Sequence, residues 1–242
     1  MEFKEKYVYD NVIQVNEASA SRKFIANVFL WMFVALGISA AFAYLFANSS
    51  LITYLIDPVT FKPTIFAYVA MFSPLAFVLL MRFGLNNLSY PVLALLYIAY
   101  ASVTGISLSF ILLIYTSGSV LGVFVTSALL FAVMAVAGYT TQTDLTKFGS
   151  LMIMGLIGIV IASLVNMFMH SSGLDMIISY VGVAVFVGLT AYDVQKLKNI
   201  GAGLEYGDAS AKKMALMGGL TLYLDFINLF LMLLRIFGGR KN

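Results

Sequence analysis

Two aspartates stand where a charged side chain has no natural solvent. Asp193 occurs in GLTAYDVQKLK and Asp225 in LTLYLDFINLF, each within a long apolar stretch. The other nine of the 11 acidic residues fall in tails, loops or at the ends of such stretches. An ionised Asp at the centre of a membrane span costs roughly 2.5–3.5 kcal/mol on insertion scales. A residue that bears this cost faces the protein interior or a watery cavity, and it usually has a role. Helical spacing sets Gly218, Thr221 and Asn228 on the face of Asp225, and Ser179, Gly182 and Thr190 on the face of Asp193. The two segments are consecutive and antiparallel, so the aspartates are expected at similar depth. Two carboxyls that meet there cannot both ionise cheaply, and they titrate as one unit around a shared proton. The bland alternative is a buried, purely structural hydrogen-bonded pair.

Arg82 is the nearest candidate cation, at the end of the second apolar stretch. Bridged to a carboxylate it would hold a pathway shut; otherwise it is an ordinary interfacial arginine. The single histidine, His170, excludes a multi-histidine metal site, and the lack of cysteine excludes disulfides and thiol chemistry. Tyr97, Tyr100, Thr104 and Ser107 form a stripe on one helix, read as packed interface before cavity lining. Asn166 is expected to bond between helices. Gly158 and Ala162, four apart, suit close helix packing. Trp31 and the tyrosines near span ends suit interfacial anchoring.

The elements that must position these residues are membrane helices. The chain of 242 residues is 62% hydrophobic and only 10% charged, where a soluble domain carries roughly a quarter charged residues. The apolar residues come in blocks long enough to cross a hydrocarbon core of ~30 Å as helices. Alternating segments of a barrel are missing. Seven spans are expected over about 24–47, 64–81, 92–115, 120–139, 151–169, 176–193 and 215–237. Thr143 or Asp144 is expected to cap the fifth. The organisation is a polar, cytoplasmic N-terminal segment over 1–23 and a seven-helix transmembrane domain over 24–242. No signal peptide order of basic then apolar residues opens the chain.

Charge placement orients the bundle. Lys4, Lys6, Arg22, Lys23, Arg82, Lys147, Lys196, Lys198, Lys212 and Lys213 fall on one side, against Lys62 on the other. The basic side is cytoplasmic by the positive-inside rule. Seven spans then place the tail outside, against which Arg235, Arg240 and Lys241 dissent. A half-inserted segment with both ends inside is the alternative.

SRKFIANVFLWM, TDLTKFGSLM, AYDVQKLK and LYLDFINLFLMLLRIFG, in this order and spacing, resemble the Bax inhibitor-1 family, also called the transmembrane BAX inhibitor motif family. The resemblance implies an all-α integral membrane bundle of seven helices, the C-terminal one central between two groups of three. It also implies a pH-sensitive calcium leak. The family's paired aspartates map onto Asp193 and Asp225, and its latching arginine onto Arg82. Calcium takes about six to eight oxygen ligands. Asp193, Asp225 and Asn228 with backbone carbonyls and water supply a loose site, and weak binding suits an ion that must leave. Calcium is then the permeant ion and no cofactor is expected. The partners are the lipid bilayer, calcium and protons, with a membrane-protein partner possible and nucleic acid not expected. Lack of cysteine and of long tails suggests a bacterial member in the plasma (inner) membrane.

Three rivals stand beside this reading. An intramembrane aspartyl protease also sets one Asp after Tyr on the sixth span, as Tyr192-Asp193 does. It requires Gly before the second Asp, where this chain has Leu224, and no Pro-Ala-Leu follows. A proton-coupled transporter would use the pair as a relay. A regulatory membrane protein would transport nothing. No enzyme activity is expected.

Overall fold

The computed structural model describes the backbone of residues 2–204 and 209–241 and the side chains of 19–204 and 210–241. The expected loop between spans six and seven lies partly outside the described residues, as do most side chains of 1–23. Seven long helices follow one another: α1 (Glu2–Ala47), α2 (Ile65–Gly84), α3 (Tyr90–Ile114), α4 (Ser117–Thr140), α5 (Thr146–Met169), α6 (Ser172–Ala202) and α7 (Ala209–Phe237). All seven are long and apolar enough to cross a membrane. Helices satisfy every backbone group internally, which is why lipid admits them. A single 3-10 turn, Ser50–Tyr54, breaks the α1–α2 connection.

Several helices run past the expected spans at the basic end. The sixth does not stop at Asp193 but continues through Lys198 to Ala202. Polar residues there do not end a helix, because its backbone bonds are already made. α5 begins at Thr146, with Leu145 at the cap position rather than Thr143 or Asp144. Asp144 still does capping work, since its Oδ1 accepts from Thr146 Oγ1 at 2.6 Å and Thr146 N at 2.9 Å. The Thr146 hydroxyl, then its N–H, hold the Asp144 carboxyl below the usual carboxylate range.

α7 is the axis of the bundle. It packs on α1, α3, α4 and α6; α1 and α2 flank α3, while α4 and α5 flank α6. This is one helix between two groups of three. α7 is also the most buried span, and α5, facing lipid with Leu151, Met154, Ile157 and Ile161, is the least. Hydrophobic exclusion from water does not hold such helices together, because lipid is as apolar as their side chains; close packing and hydrogen bonds do.

Small residues set the close approaches, at other positions than expected. A Cβ on Gly158 would meet nothing within 4 Å. The tight crossings are at Gly138, where a Cβ would run into the Ala191 backbone carbonyl, and at Gly105, where it would strike the backbone of Ser39. Spacing of small residues alone does not say which face meets a neighbour. Asn166 likewise stays local: its Oδ1 accepts from Ser171 N at 3.0 Å and closes the α5–α6 turn.

The aromatic stripe of α3 is packed interface. Tyr97 stacks beside Tyr100 at 6.4 Å, and Tyr100 meets Tyr223 edge-on at 5.5 Å. Trp31 is half-buried and packs edge-on to Tyr97 at 5.6 Å and to Tyr90 at 6.4 Å. Tyr97 donates to Trp31 O at 3.0 Å. Ser39 donates to Ala101 O at 2.7 Å, which leaves its oxygen to accept from Tyr223 at 2.7 Å. A single chain of hydroxyls thus ties α1, α3 and α7.

The C-terminal tail bonds to the α3–α4 turn. Thr116 N donates to Gly239 O at 2.9 Å and Lys241 N to Ile114 O at 2.8 Å. That turn lies across the bundle from the basic loops, so α7 runs the length of the bundle. The basic tail residues are held there by specific contacts, Arg235 with Asp175 at 3.1 Å and Lys241 Nζ with Leu112 O at 2.6 Å.

Candidate functional site

A cavity of about 650 Å³ opens toward the basic face. α6 and α7 form its floor, with Arg82 of α2 and the following Leu85 on one side and Ile153 and Leu156 of α5 on the other. Asp193, Asp225, Arg82 and Asn228 all line it. The α7 stripe of Gly218, Thr221 and Asn228 also faces it. The α6 stripe does not. Ser179 and Thr190 are buried and donate back to Asp175 O and Phe186 O, both at 2.8 Å, while Gly182 receives Met232. These small polar residues of α6 serve packing.

The carboxyls of Asp193 and Asp225 face one another within hydrogen-bonding reach. Asp193 is half-buried at the mouth, whereas Asp225 is only 5% exposed. Taken as two carboxylates the pair has acceptors and no donor. Asp225 Oδ2 then remains buried without a partner among the described residues. A single proton between the oxygens supplies the missing donor, so geometry and hydrogen-bond accounting ask for the same thing. Leaving such an atom unsatisfied would cost about 1–3 kcal/mol.

Two cations bear on Asp193: Lys196 first and Arg82 second. Arg82 makes no ion pair within 4.0 Å among the described residues, in contrast to Arg235 with Asp175. Lys196 was legible in the sequence only as a topology marker. The missed signal is its spacing, since i and i+3 share a helix face. Lys196 Nζ also sits 5.8 Å from the Tyr192 ring centre.

Neighbouring contacts hold this end of the bundle. Gln195 Oε1 accepts from Leu145 N and its Nε2 donates to Thr143 O, both at 2.8 Å, tying the α4–α5 loop to α6. Lys198 Nζ donates to Tyr139 O at 2.8 Å, and Lys213 Nζ to Leu85 O at 3.3 Å. Asn228 spends its Nδ2 on Leu224 O at 2.8 Å, which leaves Oδ1 as an acceptor toward the cavity. Among the described residues no cluster of three or more His, Cys, Asp or Glu could hold a metal tightly. Two carboxyls and an amide oxygen suit at most a weakly held cation.

The family model described as "Inhibitor of apoptosis-promoting Bax1" matches residues 21–242. The inner membrane protein YbhL of Escherichia coli strain K12 is 43% identical over 233 residues, spanning 96% of this chain and 97% of its own. An uncharacterized protein of Borreliella burgdorferi is 44% identical over 234 residues, spanning 93% and 96%. Rickettsia prowazekii protein RP147 is 38% identical over 223 residues, spanning 91% of each. With the family model covering all seven spans and the aspartate pair between α6 and α7, the chain belongs to the Bax inhibitor-1 family of multi-pass membrane proteins.

Proposed function

We propose that the protein is a pH-sensitive calcium leak channel of a bacterial inner membrane, with its N-terminus and basic loops in the cytoplasm. One observation carries the reading: Asp225 is 5% exposed, faces Asp193 across a cavity, and lacks a donor for Oδ2. A shared proton satisfies both carboxyls and fastens α6 to α7. Its loss leaves two like charges in contact in a medium of low dielectric, and they repel. Separation of the helices then opens the cavity floor, and the freed carboxylates with Asn228 attract a divalent cation. The leak therefore rises as pH rises. Calcium is the permeant ion and no resident cofactor or catalytic step is assigned. Arg82, at the mouth, favours the shut state by its attraction to Asp193.

The inner-membrane placement draws on the printed name of the Escherichia coli relative, and the orientation on the ten basic residues of one side. The test is calcium flux into proteoliposomes across pH, for wild type, Asp193→Asn and Asp225→Asn. Both variants should lose the pH response. An unchanged profile in both defeats the switch, and no calcium flux at any pH defeats the channel.

A further inference from the structure

The same cavity is open on a second side. α2 packs closely on α3 alone and α5 on α6 alone. The cavity edge formed by Arg82 on α2 and Leu85 just after it therefore faces Ile153 and Leu156 on α5 across a gap that close α2–α5 packing does not bridge. In a bilayer this gap meets acyl chains, not water.

The lining has two chemistries. At the mouth stand Arg82 and Lys196, both exposed and neither in an ion pair among the described residues. Asp193 offsets one of these charges, so the mouth keeps a surplus of one. Ile153, Leu156, Leu189, Met217 and Leu224 add apolar walls beside the carboxyl pair. Methionine adapts to a flexible guest. Along α7 the lining extends from Met214 to Asn228, about 21 Å at a rise of ~1.5 Å per residue. One leaflet of hydrocarbon is about half of ~30 Å, so the hollow accommodates a chain of leaflet length.

We infer that the cavity binds an anionic membrane phospholipid, one acyl chain entering between α2 and α5 and the phosphate held by Arg82 and Lys196. The guanidinium fork and the ammonium both suit a phosphate. Charge complementarity selects the anionic headgroup, and the lateral gap selects a lipid over a solute from the aqueous side. Lys213 Nζ, bonded to Leu85 O at 3.3 Å, holds the end of α2 so that Arg82 stays at the mouth.

The experiment is photolabelling of the full-length protein in nanodiscs. The probes are phosphatidylglycerol and phosphatidylcholine carrying the same diazirine chain, and attachment sites are mapped by mass spectrometry. Phosphatidylglycerol should label Ile153, Leu156 and Met217, and phosphatidylcholine should label them far less. Inorganic phosphate should not displace the label, since the chain supplies the fit. The double variant Arg82→Gln, Lys196→Gln should lose about 30-fold of the cavity labelling, from two basic contacts at the surface. Equal labelling by both lipids overturns the inference, as does label confined to outward residues such as Leu129 and Met71. Displacement by phosphate alone also overturns it and leaves a free-anion site. Site mapping on the wild-type protein decides the matter even if the double variant does not fold. Lipid capture is read by mass and needs no ion flux, so its failure and the failure of the calcium reading are separable.

Discussion

Replacing Asp225 by Asn isolates the repulsion on which the proposed gate depends. The substitution keeps the size of the side chain and a hydrogen-bond donor toward Asp193, and it removes the capacity for a second negative charge. The carboxyls lie within hydrogen-bonding reach. Two unit charges roughly 4 Å apart repel by about 4 kcal/mol at an effective dielectric of about 20. Every ~1.4 kcal/mol is a factor of ten, so the shut-to-open ratio of the wild type should change on the order of 10³ between the shared-proton and doubly ionised pair. Asn at 225 reduces that factor toward one. The assay is calcium entry into proteoliposomes with equal pH on both sides, stepped from acid to alkaline, using an internal indicator. Wild type should show a leak rising with pH, and Asp225→Asn a flat profile. Thermal unfolding of both proteins in detergent checks that the variant is folded. A variant profile that overlays the wild type, or a wild-type leak that falls with pH, would refute the reasoning.

Four further outcomes follow from particular contacts. Arg82→Ala should raise the leak at acid pH; a leak no higher than wild type removes Arg82 from the gate. Gly138→Ala places a methyl against the Ala191 carbonyl, and overpacking of this kind costs about 1–3 kcal/mol, readable as a lower unfolding midpoint. Tyr223→Phe removes the donor to Ser39; a double-mutant cycle with Ser39→Ala should give a coupling of about 0.6 kcal/mol, the average for bonds between membrane helices. Arg235→Gln breaks the pair with Asp175, but both side chains are 41% exposed, so solvent screening should keep the change under about 0.5 kcal/mol in the same unfolding assay.

The seven helices were readable because a bilayer demands ~20 apolar residues and complete internal bonding of the backbone. Their ends were less so. α6 continues nine residues past the expected span end at Asp193 to Ala202, because a polar helix end in the interface is no less helical. The central place of α7 came through a resemblance carried by LYLDFINLFLMLLRIFG; burial of that helix on four neighbours then gave it a physical basis.

What the sequence determined by itself is the inventory: seven spans, two acids that lipid would not accept, and a stripe of Gly218, Thr221 and Asn228 beside one of them. Hydrophobic length and helical period are local properties, and they survive any packing. Which faces meet is not local. Only the tertiary structure set Asp193 against Asp225, made Lys196 act on Asp193 more strongly than Arg82 does, packed Trp31 on Tyr97, moved the close crossing from Gly158 to Gly138, and left α2 and α5 without close packing on each other. Rotation and depth of a helix in a bundle come from its contacts with its neighbours, and a linear pattern with period 3.6 leaves both free.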